Sequence, residues 1–303
     1  MSATAFSLVL LAGLIHALWN IAAKKAGGDA RFACFTAGIG LVVWAPVAVW
    51  LGWDVLPQWG AWEWSFVWLS GVLHVLYFVI LLRGYRHADL TVVYPLARGT
   101  GPLLSSLVAL VWLGESMSLW GALGVAGVVG GVFLIAGGPK LVADMHRADR
   151  NLTEEEQAAQ HLRHAGVRYG LLTGLLIACY TVVDGYAVKW ALMSPILIDY
   201  FGNLIRLLLI GPTLLRDRPA VAALWRTQWK YACIVGIISP VSYVLVLYAM
   251  QVAPLSHVAP AREVSMLFAA LMGGHLLGEK DRGLRVVGAV LIAAGVMALG
   301  WGA

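Results

Sequence analysis

Apolar runs of about twenty residues, separated by short polar stretches, recur ten times along the chain, near 4–23, 32–52, 63–82, 90–113, 118–137, 167–188, 195–215, 229–250, 254–277 and 284–302. A run of that length is what an α-helix needs to cross a hydrocarbon core about 30 Å thick. Within the runs the apolar positions do not alternate, so the pattern predicts helices that are apolar on all sides rather than strands or amphipathic surface helices. The first run has no preceding Lys or Arg and no small-residue cleavage site in a polar region, and it reads as a retained span. The longest polar stretch, Pro139 to Arg168, divides the spans five and five. Its Thr153-Glu154-Glu155-Glu156 predicts a capping box that opens a short amphipathic helix ending near Gln160 or His161.

Two parts of the chain repeat. Val93-Tyr94-Pro95-Leu96-Ala97-Arg98 and Leu113-Gly114-Glu115 return as Val258-Ala259-Pro260-Ala261-Arg262 and Leu277-Gly278-Glu279. The arginines and the glutamates are each 164 residues apart, and the prolines 165, so one residue was gained or lost just after the proline. Gly124 and Gly131 match Gly288 and Gly295 at the same offset, and Gly71 precedes Pro95 by the same interval as Gly236 precedes Pro260. The expected organisation is a five-helix repeat over 1–138, a linker over 139–166 and a second five-helix repeat over 167–303.

Composition agrees with a membrane protein. Apolar residues make up 60% of the chain, charged residues 12%, and the mean hydropathy is +0.80. A soluble domain of this size needs about twice that charge. Lys and Arg then give orientation, because they are retained on the cytoplasmic side. Of the 21, 17 fall in the odd-numbered connections, which places both termini outside, on the periplasmic face of an inner (plasma) membrane. With an odd number of spans per repeat, the second repeat inserts inverted. A repeat of that kind carries its binding site near the bilayer midplane. The net charge of +5 is this cytoplasmic rim, and no nucleic-acid partner is expected. Cys34, Cys179 and Cys233 lie within spans without metal-ligand spacing.

The doubled motifs, with His16-Ala17-Leu18-Trp19-Asn20 and Lys24 in the first span and Gly121 and Gly124 after the first Leu-Gly-Glu, resemble the drug/metabolite transporter superfamily, in particular its ten-helix EamA branch. That resemblance covers essentially the whole chain. It implies an all-α integral membrane fold of two inverted five-helix repeats around a central cavity, and a secondary transporter, often an exporter of amino acids or related metabolites. The four-helix multidrug relatives carry a glutamate in their first helix; here the polar residues of that helix are His16 and Asn20.

Ionisable groups at membrane depth are costly, so each marks a candidate site. His16, Trp19 and Asn20 share one face of the first helix, as cavity lining or as interhelical hydrogen-bond partners; His74 and Tyr77 share a face of the third. Tyr94 and Arg98 flank a proline-glycine segment expected to bend the fourth helix, where Arg98 meets either a substrate anion or a fixed acid, one of Asp184, Asp199 and Glu263. Tyr180 and Asp184 lie four apart in the sixth helix, with Asp184 either deep in the span or, with Lys189, at the outer interface. Asp199, Asn203 and Arg206 stand at i, i+4 and i+7 in the seventh, a stripe about 10 Å long that suits a zwitterion or else pairs with other helices. Tyr243 lies beside Pro240. On a continuous helix Arg262 and Glu263 point about 100° apart and need different partners. Glu115 and Glu279 are expected to cap the helices that follow them.

The intramembrane charges, Arg98, Arg206 and Arg262 against Asp184, Asp199 and Glu263, sum to zero, which favours a zwitterion over a cation or an anion. The expected function is transport of small polar or zwitterionic metabolites by alternating access, with amino-acid export first. A permease for an organic anion such as a phosphonate, or a lipid-linked sugar flippase, are the rivals. No metal-ligand cluster, Gly-x-Ser-x-Gly elbow or phosphate-binding glycine loop is present, so no enzyme activity and no cofactor are expected, beyond a coupling ion, H+ or another. The expected partners are a small-molecule substrate and membrane lipid, with the chain a monomer or a homodimer.

Overall fold

The structure, a computed structural model, describes residues 1–27, 29–88, 90–135, 138, 142, 154–215, 218–273 and 282–301. Among them every regular element is helical. The helices are α1 (Ala3–Ala26), α2 (Ala30–Gly52), α3 (Ala61–His87), α4 (Leu90–Val111), α5 (Leu119–Ile135), α6 (Glu154–Lys189), α7 (Pro195–Ile210), α8 (Arg218–Val252), α9 (Leu255–Ala261), α10 (Val264–Gly273) and α11 (Arg282–Trp301). Among the described residues, five segments are long and apolar enough to cross a membrane: Ala3–Ala26, Ala30–Gly52, Ala61–His87, Gln160–Lys189 and Arg218–Val252.

Local chemistry sets several boundaries. Ser2 caps α1 by accepting from the Ala5 N–H, and Asp29 caps α2 by accepting from the N–H groups of Arg31 and Phe32. Gly27 closes α1 in the left-handed region, at φ 63°, with Lys24 and Lys25 in the last turn, where cations suit the helix dipole. Two elements differ from the hydropathy pattern. The amphipathic helix expected after residue 153 and the sixth span are one unbroken helix, α6, which begins at Glu154; Thr153, the expected cap, lies outside the described residues. The ninth span is two helices, interrupted at Arg262 and Glu263.

The chain forms two compact units. One comprises Met1, Leu76–Thr181 and Pro254–Ala303; the other comprises Ser2–Val75 and Val182–Ala253. Each therefore draws on both copies of the repeated sequence.

In the first unit, α5 and α11 pack along a glycine seam. A Cβ on Gly124 would lie 2.8 Å from the Gly295 carbonyl oxygen, and one on Gly131 only 2.5 Å from that of Gly288. The reciprocal distances, 2.7 Å in both cases, are as short. Only glycine permits this approach, the form helix pairs take in lipid, where packing replaces the hydrophobic effect. The contacts run 124 to 295 and 131 to 288, so the two helices are antiparallel. Exchanging the repeats, which equates Gly124 with Gly288 and Gly131 with Gly295, maps this seam onto itself.

In the second unit α8 packs against α1 and α2, and α2 against α7. Phe32, Ala22, Ala232 and Val235 form a buried cluster on which Trp19, Phe35, Ile39 and Tyr231 pack. The repeated glycines recur here in equivalent roles. Gly236 lets α8 approach the Thr36 carbonyl of α2, where a Cβ would sit at 2.6 Å, and Gly71 lets α3 approach Ile205 of α7, at 2.7 Å.

Candidate functional site

The first unit holds a buried charge cluster at the break between α9 and α10. Glu263 is 1% exposed, and its carboxylate lies 2.7 Å from an Arg98 guanidinium nitrogen. Arg98 also donates to the Ser265 hydroxyl at 3.1 Å. Of the three acids the sequence offered Arg98, Glu263 is the one it meets. Because the chain leaves the helix at residues 262 and 263, the adjacent side chains are not forced apart: Arg262 Nε lies 3.6 Å from the same carboxylate. This corrects the expectation of separate partners, whose premise was an uninterrupted helix. Arg262 further donates to the Tyr180 hydroxyl at 3.4 Å, with its guanidinium 5.9 Å above that ring, and Tyr180 meets Tyr77 edge to face. Among the described residues the cluster brings together two arginines and one glutamate. Tyr94, one turn before Arg98, is 40% exposed, and α4 runs unbroken from Leu90 to Val111.

Glu115 caps the start of α9. Its two carboxylate oxygens accept from the Leu255 and Ser256 N–H groups, at 2.8 and 2.9 Å, closing the start of α9. Gly114, in the left-handed region at φ 67°, turns the chain out of α4 just before it. The Leu-Gly-Glu motif thus joins the end of the first repeat's fourth helix to the start of the chain's ninth span, its counterpart in the second repeat. Glu279 lies outside the described residues.

In the second unit, Asp184 is fully buried and accepts a hydrogen bond from the Tyr243 hydroxyl. The helix does not end at Asp184 but runs on to Lys189, which donates to the Ala253 carbonyl. The Tyr243 ring meets His74 edge to face, and His74 Nδ1 is 2.9 Å from the Ser70 carbonyl. His16 and Trp19 are in edge contact, and Asn20 donates back to the His16 carbonyl, so this first-helix stripe satisfies itself locally in part.

Asp199 and Asn203 line a cavity of about 160 Å³ between α2, α7 and α8. Asn203 donates to the Asp199 carboxylate at 3.0 Å and to its backbone carbonyl at 2.9 Å, which fixes both side chains on one face of α7. One turn further, Arg206 Nε is buried and has no hydrogen-bond partner among the described residues. Buried polar groups are normally paired, and this one stands out for that reason.

The sequence reading passed over two residues. Ser265, the second partner of Arg98, is of a type too common in membrane helices to stand out. His257 is 1% exposed beside Gly121, where a Cβ would lie 2.9 Å from its Nε2. An ionisable residue inside the ninth span, it falls under the same rule that marked the others. Among the described residues, no group of three or more His, Cys, Asp or Glu side chains could hold a metal ion.

The whole fold has a solved relative. A chain described as "Crystal structure of protein" superposes with a TM-score of 0.75 at 14% identity, over 99% of this chain and 98% of its own length, a likeness of fold alone. No curated protein matches the sequence significantly. The profile of the EamA-like transporter family matches twice, at residues 3–137 and 164–301, in register with the duplicated motifs. An all-helical integral membrane protein built on two copies of that unit, the chain belongs to the EamA-like transporter family, whose members are transporters of small molecules.

Proposed function

We propose that this protein is a secondary active or facilitative transporter of small zwitterionic metabolites, foremost an exporter of amino acids, working by alternating access in the inner (plasma) membrane. The observation that carries the reading is the α7 stripe. Asp199, held by Asn203, supplies a carboxylate at a cavity wall, and Arg206, seven residues on, supplies a half-buried guanidinium whose Nε is buried and has no hydrogen-bond partner among the described residues. An α-ammonium and an α-carboxylate are the groups such a pair accepts, and in a low-dielectric site each is stronger than in water. His16, Trp19, Asn20, His74, Tyr77, Tyr94, Arg98, Tyr180, Asp184, Tyr243, Arg262 and Glu263 complete the set of polar and aromatic groups from which the transport pathway is drawn.

The architecture we assign is ten spans in two inverted five-helix repeats, 1–138 and 167–303, joined by the cytoplasmic linker 139–166, with both termini periplasmic. The antiparallel, self-equivalent glycine seam of α5 and α11 supports the inversion, since two copies of one helix meet in that way only across a two-fold axis perpendicular to them. The Lys and Arg distribution supports the orientation.

One observation favours a second reading. Among the described residues two arginines, Arg98 and Arg262, approach the carboxylate of Glu263, and a concentration of guanidinium groups suits an organic anion such as a phosphonate. An uptake screen in proteoliposomes decides between them, with labelled amino acids, phosphonates and quaternary amines offered in parallel. The proposal expects uptake of amino acids. Uptake confined to phosphonates would install the anion permease in its place, and uptake confined to quaternary amines would refute both.

A further inference from the structure

Apart from Asp199 and Asn203, the cavity wall is apolar, with Leu41, Trp44, Ile196, Tyr200, Val244 and Leu245 among its residues. Its volume, about 160 Å³, is close to that of an apolar protein cavity known to take up benzene, about 150 Å³. The space exists because α2 and α8 present small or ring-constrained residues to it. Gly40 packs so tightly on α8 that a Cβ would lie 3.0 Å from the Gly236 carbonyl, and Pro240 stands opposite. The Trp44 indole is held in place by its Nε1–H, which donates to the Ile237 carbonyl at 3.2 Å.

We infer that this cavity is the side-chain pocket of the substrate site, and that the transported zwitterion bears a bulky apolar side chain, aromatic or branched aliphatic. The inference rests on the reading of Asp199, Asn203 and Arg206 as the zwitterion stripe. With the ammonium at Asp199 and the carboxylate directed along α7 toward Arg206, the third substituent of the α-carbon enters an apolar chamber of ring size. A small or charged side chain leaves that chamber empty or places a charge against Leu41, Val244 and Leu245, and neither is favourable. A lipid chain would fill the volume but would leave the Asp199 carboxylate without a counterpart. Pockets of this kind separate substrates by roughly tenfold or more for each methylene that finds a place.

The test is counterflow in proteoliposomes with leucine and phenylalanine against alanine and serine, for the wild type and for Val244→Phe, which fills the chamber. The wild type should favour leucine or phenylalanine over alanine by at least about tenfold, and Val244→Phe should reduce that ratio by a similar factor. Val241→Met, a milder filling of the same wall, gives the same readout if Val244→Phe fails to elute as a folded species. A wild type that moves alanine or serine as fast as leucine would overturn the pocket and leave the zwitterion reading standing. So would bulky preference with an unchanged ratio in both variants, since the selectivity would then lie elsewhere. Transport of phosphonates or quaternary amines with no amino acid would remove the zwitterion reading, and the pocket with it.

Discussion

Replacing Glu263 by glutamine removes the negative charge that Arg98 and Arg262 both approach and keeps the size of the side chain. Glu263 is 1% exposed and the Arg98 side chain 17%, so water screens the pair poorly. At 2.7 Å and an effective dielectric constant near 20, their attraction is about 6 kcal/mol. Part of that is offset, because glutamine is cheaper to bury than a carboxylate. What remains is the cost of a buried guanidinium stripped of its counter-charge, about 3–5 kcal/mol. Arg98→Gln should cost less, since Glu263 keeps Arg262 at 3.6 Å. In Arg98→Gln/Glu263→Gln the local charge returns to its wild-type value, and the pair of substitutions should cost at least about 2 kcal/mol less than the sum of the singles. Denaturant titration of the purified protein in detergent measures all four species. Glu263→Gln as stable as the wild type, or strictly additive single costs, would refute the view that this ion pair is formed and buried.

Three further outcomes follow from the fold. Gly131→Ala places a methyl 2.5 Å from the Gly288 carbonyl and should lower stability by about 1–3 kcal/mol, whereas Gly130→Ala, next to it but with no atom within 4 Å, should be neutral or slightly stabilising; equal thermal midpoints would dismiss the seam. Glu115→Ala removes both acceptors at the start of α9, at a cost of about 1–2 kcal/mol, and should speed hydrogen exchange at the Leu255 and Ser256 amides, with unchanged protection arguing against the cap. Alkaline phosphatase fused after Ala303 should be active in intact cells, as a periplasmic terminus requires, and an inactive fusion would reverse the assigned orientation.

The membrane helices were legible in the sequence because burial in lipid writes itself as length and hydropathy, which are local. So was the glycine seam, since Gly124, Gly131, Gly288 and Gly295 stood out as repeated positions before their contacts were known. Their reciprocal pairing was not, because it is a property of two helices together. Hydropathy marks only the apolar part of a helix, which is why the polar start of α6 looked like a separate element. The break at Arg262 and Glu263 has no glycine to announce it; it coincides with Glu263 meeting Arg98 and Ser265 meeting the same guanidinium, contacts made by another helix. Glu115 was recognisable as a cap from its place beside Gly114, but the helix it serves lies 140 residues away in sequence. Asp199 and Asn203 were legible as neighbours on one face of α7, because they are four apart; the cavity against that face needed α2 and α8 to be in place.

The central claim is that the α7 stripe recognises a zwitterion, and counterflow of a labelled amino acid in proteoliposomes tests it most directly, comparing wild type with Asp199→Asn and Arg206→Gln. The account predicts exchange by the wild type and a loss of roughly tenfold or more in each variant, as expected when a charge-assisted contact worth about 1.5–3 kcal/mol is removed. Exchange that persists unchanged in both variants, in protein that remains folded, would contradict it.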